Sequence, residues 1–163
     1  ARRWAIPGTP GLEHRVGGLE KDFLKGTVSH NPDNHEKMVK ARAAKVARVA
    51  EFIPPQEVIG SPEGGETLVI GWGGTYGHLL TAVEELRKEG KDISLCHFTY
   101  INPLPKNTGE ILSRFKRIVV CELNCGQLAG YLRMQFPHIK FEQINTVQGL
   151  TFTVLELKEQ LTR

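Results

Sequence analysis

"LVIGWGGTYGHLL", residues 68–80, is the stretch on which the fold turns. Three apolar residues, Leu68, Val69 and Ile70, lead into Gly71, Gly73, Gly74 and Gly77, and a helical pattern follows. Strand, glycine turn and helix is the order in which nucleotide-binding folds cradle a pyrophosphate. The same order also makes the first turn of a doubly wound sheet, where glycine allows close packing. The residues favour the second reading. A dinucleotide fingerprint needs G-x-G-x-x-G, and Tyr76 stands where the third glycine belongs. It also needs a carboxylate ending the second strand, and "CHFTYIN" (96–102) has none. No Lys-Ser or Lys-Thr follows the glycines, so the P-loop pattern fails as well.

Working outward, residues 56 onward alternate strands with helices. "EVIG" is a short candidate strand and "TLVIGWG" a buried one, followed by a helix from Thr75 to Lys88 with Leu79, Leu80, Val83 and Leu86 inward. "DISLCHFTYI" and "RIVVCEL" are further strands, with "TGEILSRFK" and "GQLAGYLRMQF" as the helices after them. "KFEQIN" is a last strand and "TFTVLELKEQLT" a terminal helix. Strands separated by helices imply parallel pairing with helices on both faces, a three-layer α/β sandwich.

The first part of the chain reads differently. Residues 1–33 carry Pro7, Gly8, Pro10, Gly11, Gly17, Gly18 and Gly26, and their apolar residues form no stripe. Such a segment buries too little to offset its ordering entropy alone. Trp4, Ile6, Leu12 and Phe23 favour an extended connecting arm over a free linker. Residues 34–55 read as a basic amphipathic helix and linker. Asp33 is the expected cap, with Glu36 completing a capping box, and Val39, Ala43, Val46, Ala50 and Ile53 share one face. Lys37, Lys40, Arg42, Lys45 and Arg48 make a solvated basic face or a site for an acidic partner. Pro54 and Pro55 end the helix, and residues 56–163 form the α/β domain.

Composition sets limits. Of 163 residues, 40% are hydrophobic and 24% charged, as in soluble globular proteins, and a net charge of +3 does not by itself argue for nucleic acid. No run approaches the roughly 18 apolar residues of a membrane helix. Three cysteines, Cys96, Cys121 and Cys125, are an odd number without framework spacing, which points to a reduced, cytoplasmic setting. Residue 1 is Ala, so a piece of a longer polypeptide is expected. Cys121 and Cys125 are spaced C-x3-C, one residue too wide for a zinc or redox pair, and no metal site is expected. Cys121 reads as a buried strand residue and Cys125 as a loop thiol. No Ser-His-Asp set, paired carboxylates or H-E-x-x-H appears, so catalysis by this stretch alone has little support. Glu122, Asn124 and Gln127 cluster at the carboxyl end of a buried strand, where α/β sheets gather ligands and partners. Such residues equally satisfy loop backbone groups. Both readings stand.

Five motifs, "PGTPGLEHRVGGLEKD", "HEKMVKARAAKV", "VIGWGGTYG", "INPLP" and "ELNCGQLAGYLR", in this order, resemble the alpha subunit of 2-oxoacid:ferredoxin oxidoreductases, best in the 2-oxoglutarate branch. The resemblance covers essentially the whole chain. It implies the C-terminal part of that subunit, ending in a domain like the C-terminal domain of transketolase. That domain has a mostly parallel five-stranded sheet in the order 1-3-2-4-5, the first strand antiparallel. The parent complex, by the same resemblance, decarboxylates a 2-oxoacid on thiamine diphosphate and magnesium. It passes electrons through iron–sulfur clusters to ferredoxin and releases an acyl-CoA.

Neither the G-D-G…N-N pattern that holds thiamine diphosphate nor a four-cysteine cluster motif is present here. Those parts fall to the remainder of the alpha subunit or to a thiamine-binding beta subunit, and the fragment is expected to be non-catalytic and free of cofactor. Two departures from the family pattern stand out. Cys121 and Cys125 replace mostly apolar or proline residues, and Gly74 replaces a frequent serine. The implied topology brings the loops "GWGGTYG" and "ELNCGQ" to one crevice. There Gly73, Gly74, Thr75, Tyr76, Glu122, Asn124 and Gln127 are the candidate partner contacts. The polar three are expected to cap the backbone N–H groups of residues 73–76, and Gly73 to keep the loops close. A nucleotide- or CoA-binding Rossmann-like domain is the competing reading.

Overall fold

The computed structural model describes residues 5–14 and 17–163, so the expectation placed on Trp4 lies outside the described residues. The backbone divides between residues 49 and 50 into two compact units.

In the first unit, residues 20–29 make an irregular hairpin around an antiparallel bridge between Lys21 and Val28. Asp22 Oδ1 accepts from the N–H groups of Leu24 and Lys25 and turns the chain, and Gly26 takes φ +75°. Helix α1 (Pro32–Ala47) follows. Its cap is Asn31 rather than Asp33: Asn31 Oδ1 accepts from Asn34 N at 3.0 Å, and Pro32 fills the first helical position, where its missing N–H costs nothing. Asn34 ties helix to hairpin, accepting from Phe23 N and donating to Lys21 O. Lys37 Nζ sits 4.1 Å over the Phe23 ring, and Glu20 pairs with both His35 and Arg42. No residue of α1 is buried, and the expected apolar face includes Val39 and Val46, each 45% exposed.

The second unit contains four parallel strands, β1 (Gly65–Trp72), β2 (Ile93–Phe98), β3 (Phe115–Glu122) and β4 (Glu142–Asn145), in the order β2-β1-β3-β4. Four helices alternate with them: α2 (Tyr76–Lys88), α3 (Thr108–Ser113), α4 (Gln127–Gln135) and α5 (Val154–Leu161). Strand alternation sorts side chains into two cores. Leu68, Ile70, Ile118 and Val120 meet α3 and α4 through Ile111, Leu112, Leu128 and Leu132. On the other face Val69, Leu95, Val119 and Cys121 meet Leu79, Val83, Leu86, Leu157 and Leu161 of α2 and α5. Leu68, Val69 and Ile70 are all fully buried. That explains an unbroken apolar run rather than an alternating one, and each side chain contributes about 1.5–3 kcal/mol.

The expected five-stranded sheet is corrected to four. The segment "EVIG" is no strand: only Ile59 pairs, antiparallel to Leu95, exchanging hydrogen bonds of 2.8 and 2.9 Å. Pro54 and Pro55 lack ladder donors on one side, and Gly60, at φ +119°, breaks extension on the other. Side and direction agree with the 1-3-2-4-5 expectation; the edge strand has shrunk to one bridge.

Candidate functional site

Chain direction switches between β1 and β3, and open α/β sheets form their crevice at the carboxyl ends of such strands. A cleft of about 200 Å³ lies there, lined by Trp72, Gly73, Gly74, Thr75, Leu123 and Asn124. Four of the seven candidate residues therefore meet or line one feature with the strand end of Glu122 beneath it. Tyr76 and Gln127 do not line it.

The turn after β1 is closed locally. Trp72 N donates to Thr75 Oγ1 at 3.2 Å, and Thr75 Oγ1 donates to Trp72 O at 2.9 Å, so a buried threonine closes the turn on Trp72 itself. Gly71 is the glycine that packing demands: a Cβ there would lie 2.2 Å from Leu79 Cδ1 and 2.8 Å from Thr75 Oγ1. Gly73 is demanded by conformation instead, with φ +59°. A Cβ on Gly73, Gly74 or Gly77 would meet nothing within 4 Å, so these glycines do not hold the loops together.

Glu122 and Asn124 turn away from the glycine loop and cap α4. Glu122, 0% exposed, accepts from Leu128 N at 2.8 Å and Ala129 N at 3.0 Å, with Asn124 Nδ2 at 3.2 Å. Asn124 Oδ1 accepts from Gly126 N at 2.7 Å and Gln127 N at 2.9 Å. The expectation that they cap residues 73–76 is overturned for a physical reason. The α4 N-terminus offers four unpaired N–H groups and a favourable dipole one turn away, nearer than any donor on the neighbouring loop. Gln127 contributes only its backbone N–H and is exposed.

The tie between the loops is a residue outside the seven. Trp72 Nε1 donates to Glu122 Oε1 at 3.1 Å. The register carried the signal: Ile70 pairs with Val120, so two residues on Trp72 faces Glu122.

A second cleft, of about 300 Å³, opens at the end of β2, and Tyr76 belongs to it, with Pro55, Gln56, His97, Tyr100 and Pro105. The Tyr76 and His97 rings meet edge to face at 5.0 Å. His97 Nε2 is a buried side-chain nitrogen with no hydrogen-bond partner. Desolvation holds the His97 pKa below its ordinary 6.5, against an opposing pull from the Gly73 backbone.

Chemically, both clefts suit protein better than phosphate. The lining of the first carries no cation, and the α4 N-terminus, the natural anion site, already holds the Glu122 carboxylate. Among the described residues no group of three His, Cys, Asp or Glu is placed to hold a metal. Burial pushes the Cys96 and Cys121 thiols up to about 12, and Cys125 is exposed.

Residues 65–159 match the family profile of the pyruvate:ferredoxin oxidoreductase core domain II. The chain belongs to this family. As a core domain II chain it is 41% identical, over 157 residues, to 2-oxoglutarate oxidoreductase subunit KorA of Mycobacterium tuberculosis, covering 96% of this chain and 24% of that protein. It is 31% identical over 116 residues to the alpha subunit of 2-oxoacid:ferredoxin oxidoreductase 1 of Aeropyrum pernix, covering 68% of this chain and 18% of that one. A solved 2-oxoglutarate:ferredoxin oxidoreductase from Magnetococcus marinus, with 2-oxoglutarate, coenzyme A and succinyl-CoA bound, superposes with a TM-score of 0.86 at 29% identity, covering 97% of this core domain II chain and 28% of that chain. The chain thus spans between 18% and 28% of the length of these relatives.

Proposed function

We propose that the chain is the C-terminal assembly domain of the alpha subunit of a 2-oxoglutarate:ferredoxin oxidoreductase. The parent complex would convert 2-oxoglutarate and CoA to succinyl-CoA and CO2, the electrons leaving through iron–sulfur clusters to ferredoxin. The observation that carries this reading is the 41% identity, sustained over 96% of the chain, to a 2-oxoglutarate oxidoreductase subunit. In this proposal thiamine diphosphate, magnesium and the clusters belong to the rest of the alpha subunit and to a thiamine-binding beta subunit. The crevice does not fit such groups: Glu122 is its one carboxylate, and both its oxygens already accept N–H donors.

The chain's own residues do different work. Thr75, Glu122 and Asn124 fix the loops by internal hydrogen bonds. The crevice then presents a neutral surface, with Gly73, Gly74 and Asn124 as contacts for another protein surface, Tyr76 and Gln127 as further contacts outside it, and Thr75 and Glu122 as the buried support beneath. No helix among the described residues is long and apolar enough to cross a membrane, and a cytoplasmic site of action is part of the proposal.

The test is a segment exchange. This chain replaces the matching segment of the M. tuberculosis subunit, co-produced with its partner subunit, and CoA-dependent reduction of ferredoxin by 2-oxoglutarate is followed. Retained activity is expected. A complex that assembles but has lost activity on 2-oxoglutarate overturns the 2-oxoglutarate placement, and failure to assemble overturns the assembly role. Titration of the chain with NAD, ATP and CoA should give no saturable heat; saturable binding would favour the nucleotide-binding reading.

A further inference from the structure

A cleft of about 650 Å³ lies within the first unit, between the 20–29 hairpin and α1. Its lining divides by chemistry. Phe23 and Leu24 of the hairpin and Met38 of α1 give an apolar floor, and Leu24 is 75% exposed. Arg42, Lys45 and Arg48 stand along the α1 side. Helical spacing explains the division: Met38, Arg42 and Lys45 follow one ridge of α1, which runs on into the cap residue Arg48. Residues 37–50 hold Lys37, Lys40, Arg42, Lys45 and Arg48 and no Asp or Glu. Among the described residues the carboxylate that meets this ridge is Glu20, 3.0 Å from Arg42 and 2.7 Å from His35. Lys45 and Arg48 have no ion pair among the described residues.

A merely solvated basic face has no use for Leu24 and Met38 beside its cations. Phe, Met and Arg together are the composition of an interface core, and the thioether and the long cationic stems adapt to a partner's surface. The spacing of the charges then names the partner. Along α1 the three cations rise by about 4.5 Å at each step and about 9 Å in all. One phosphate or carboxylate cannot meet both ends, so a small single-headed anion leaves part of the wall unpaired. A strand repeats on one face only every ~6.7 Å. A helix with carboxylates at third and fourth positions repeats at about 5 Å and matches. We infer that the cleft receives an amphipathic acidic helix of a partner protein. Its apolar side chains rest on Phe23, Leu24 and Met38, and its carboxylates follow Arg42, Lys45 and Arg48. This rests on reading the chain as an assembly domain and gives one partner its chemistry.

Fluorescence anisotropy on the full chain tests the inference with three labelled peptides, each of two heptads. The first carries Leu on one face and Glu on the other, the second has Ser for Leu, and the third has Lys for Glu. Saturable one-to-one binding of the first is expected, weakening as sodium chloride is raised, with no binding of the third. The second brings charge without apolar contact and should bind about tenfold more weakly or worse. Lys45→Glu, Arg48→Glu and Leu24→Asp, all at exposed side chains, should each weaken the first peptide by about tenfold or more. Lys140→Glu, the same change of charge on an exposed residue of the second unit, should leave it unchanged. Equal binding of the Leu and Ser peptides would reduce the cleft to a polyanion patch and overturn the inference. So would the absence of saturable binding, or unchanged binding in both Lys45→Glu and Arg48→Glu. The peptide comparison uses the unaltered chain and decides the question whatever a variant does to folding. The assembly reading survives each of these results, because the segment exchange reads assembly without any peptide.

Discussion

Trp72 Nε1 donates to Glu122 Oε1 at 3.1 Å and joins the ends of β1 and β3 through one hydrogen bond to a carboxylate with no solvent exposure. The same carboxylate receives Leu128 N and Ala129 N, so strand tie and helix cap share one side chain.

Glu122→Gln keeps the shape but offers one oxygen where the backbone presents donors to two. One buried N–H is left facing an amide NH2, at a cost of about 1–3 kcal/mol. Trp72→Phe removes a single donor and should cost about 1 kcal/mol beyond its lost area. Urea melts of both singles and the double variant measure the link, and coupling above about 0.5 kcal/mol is expected. Strict additivity would mean the bond carries no stability.

Asn124→Ala strips the α4 cap from Gly126 N and Gln127 N and should lower stability by about 1–2 kcal/mol. Gly73→Ala meets open space but must hold φ +59°, costing about 1 kcal/mol. The two residues line one cleft yet share no hydrogen bond, so thermal melts of the double variant should show simple addition. Coupling would restore the rejected idea that Asn124 caps the glycine loop. Gly71→Ala should be worse than Gly73→Ala, because its Cβ collides with Leu79.

The sheet was legible because "TLVIGWG" and "RIVVCEL" are buried on both faces, and two-sided burial leaves an unbroken apolar run. The crevice was legible only through the strand order that the family resemblance implied. Its hydrogen bonds were not: Glu122 and Asn124 had two sets of N–H groups to choose between, and the helix nearer in sequence won. Trp72 was passed over because an aromatic ending a strand reads as core, and its indole N–H matters only once the β1–β3 register is known. "EVIG" illustrates the reverse error, a correct pattern between prolines and a glycine that permit only one paired residue.

Thiol chemistry should separate the three cysteines. Cys96 and Cys121 are buried in β2 and β3 with thiols pushed up to about 12, and Cys125 is exposed in the loop between β3 and α4. Iodoacetamide at pH 8 should alkylate Cys125 alone in the native chain and all three after unfolding, read by mass spectrometry. A second native adduct would show that one of the two cores opens on the labelling timescale.

His97 should give the chain an acid-side stability step near neutrality. Burial lowers its folded pKa from 6.5, with the Gly73 backbone opposing. The unfolded chain therefore takes up this proton first as pH falls, and binds more protons than the folded chain between the two values. Stability is fully present above pH 6.5 and declines below it until the folded pKa is reached. The depressed carboxylates act in a lower window. Glu20 is lowered first by the hydrogen bond from His35, Asp22 by the Lys25 and Leu24 N–H groups, and Glu156 by Thr153. Their contributions are lost only as pH falls below their ordinary 4.5, 3.8 and 4.5. Melting temperature measured from pH 8 to pH 5 should therefore fall in the parent chain and fall less in His97→Phe, which has no proton to take up. Because the ring packs against Tyr76, His97→Phe keeps the aromatic contact, and the comparison reads charge rather than packing. Equal slopes in the two chains would mean that the pKa of His97 does not change on folding.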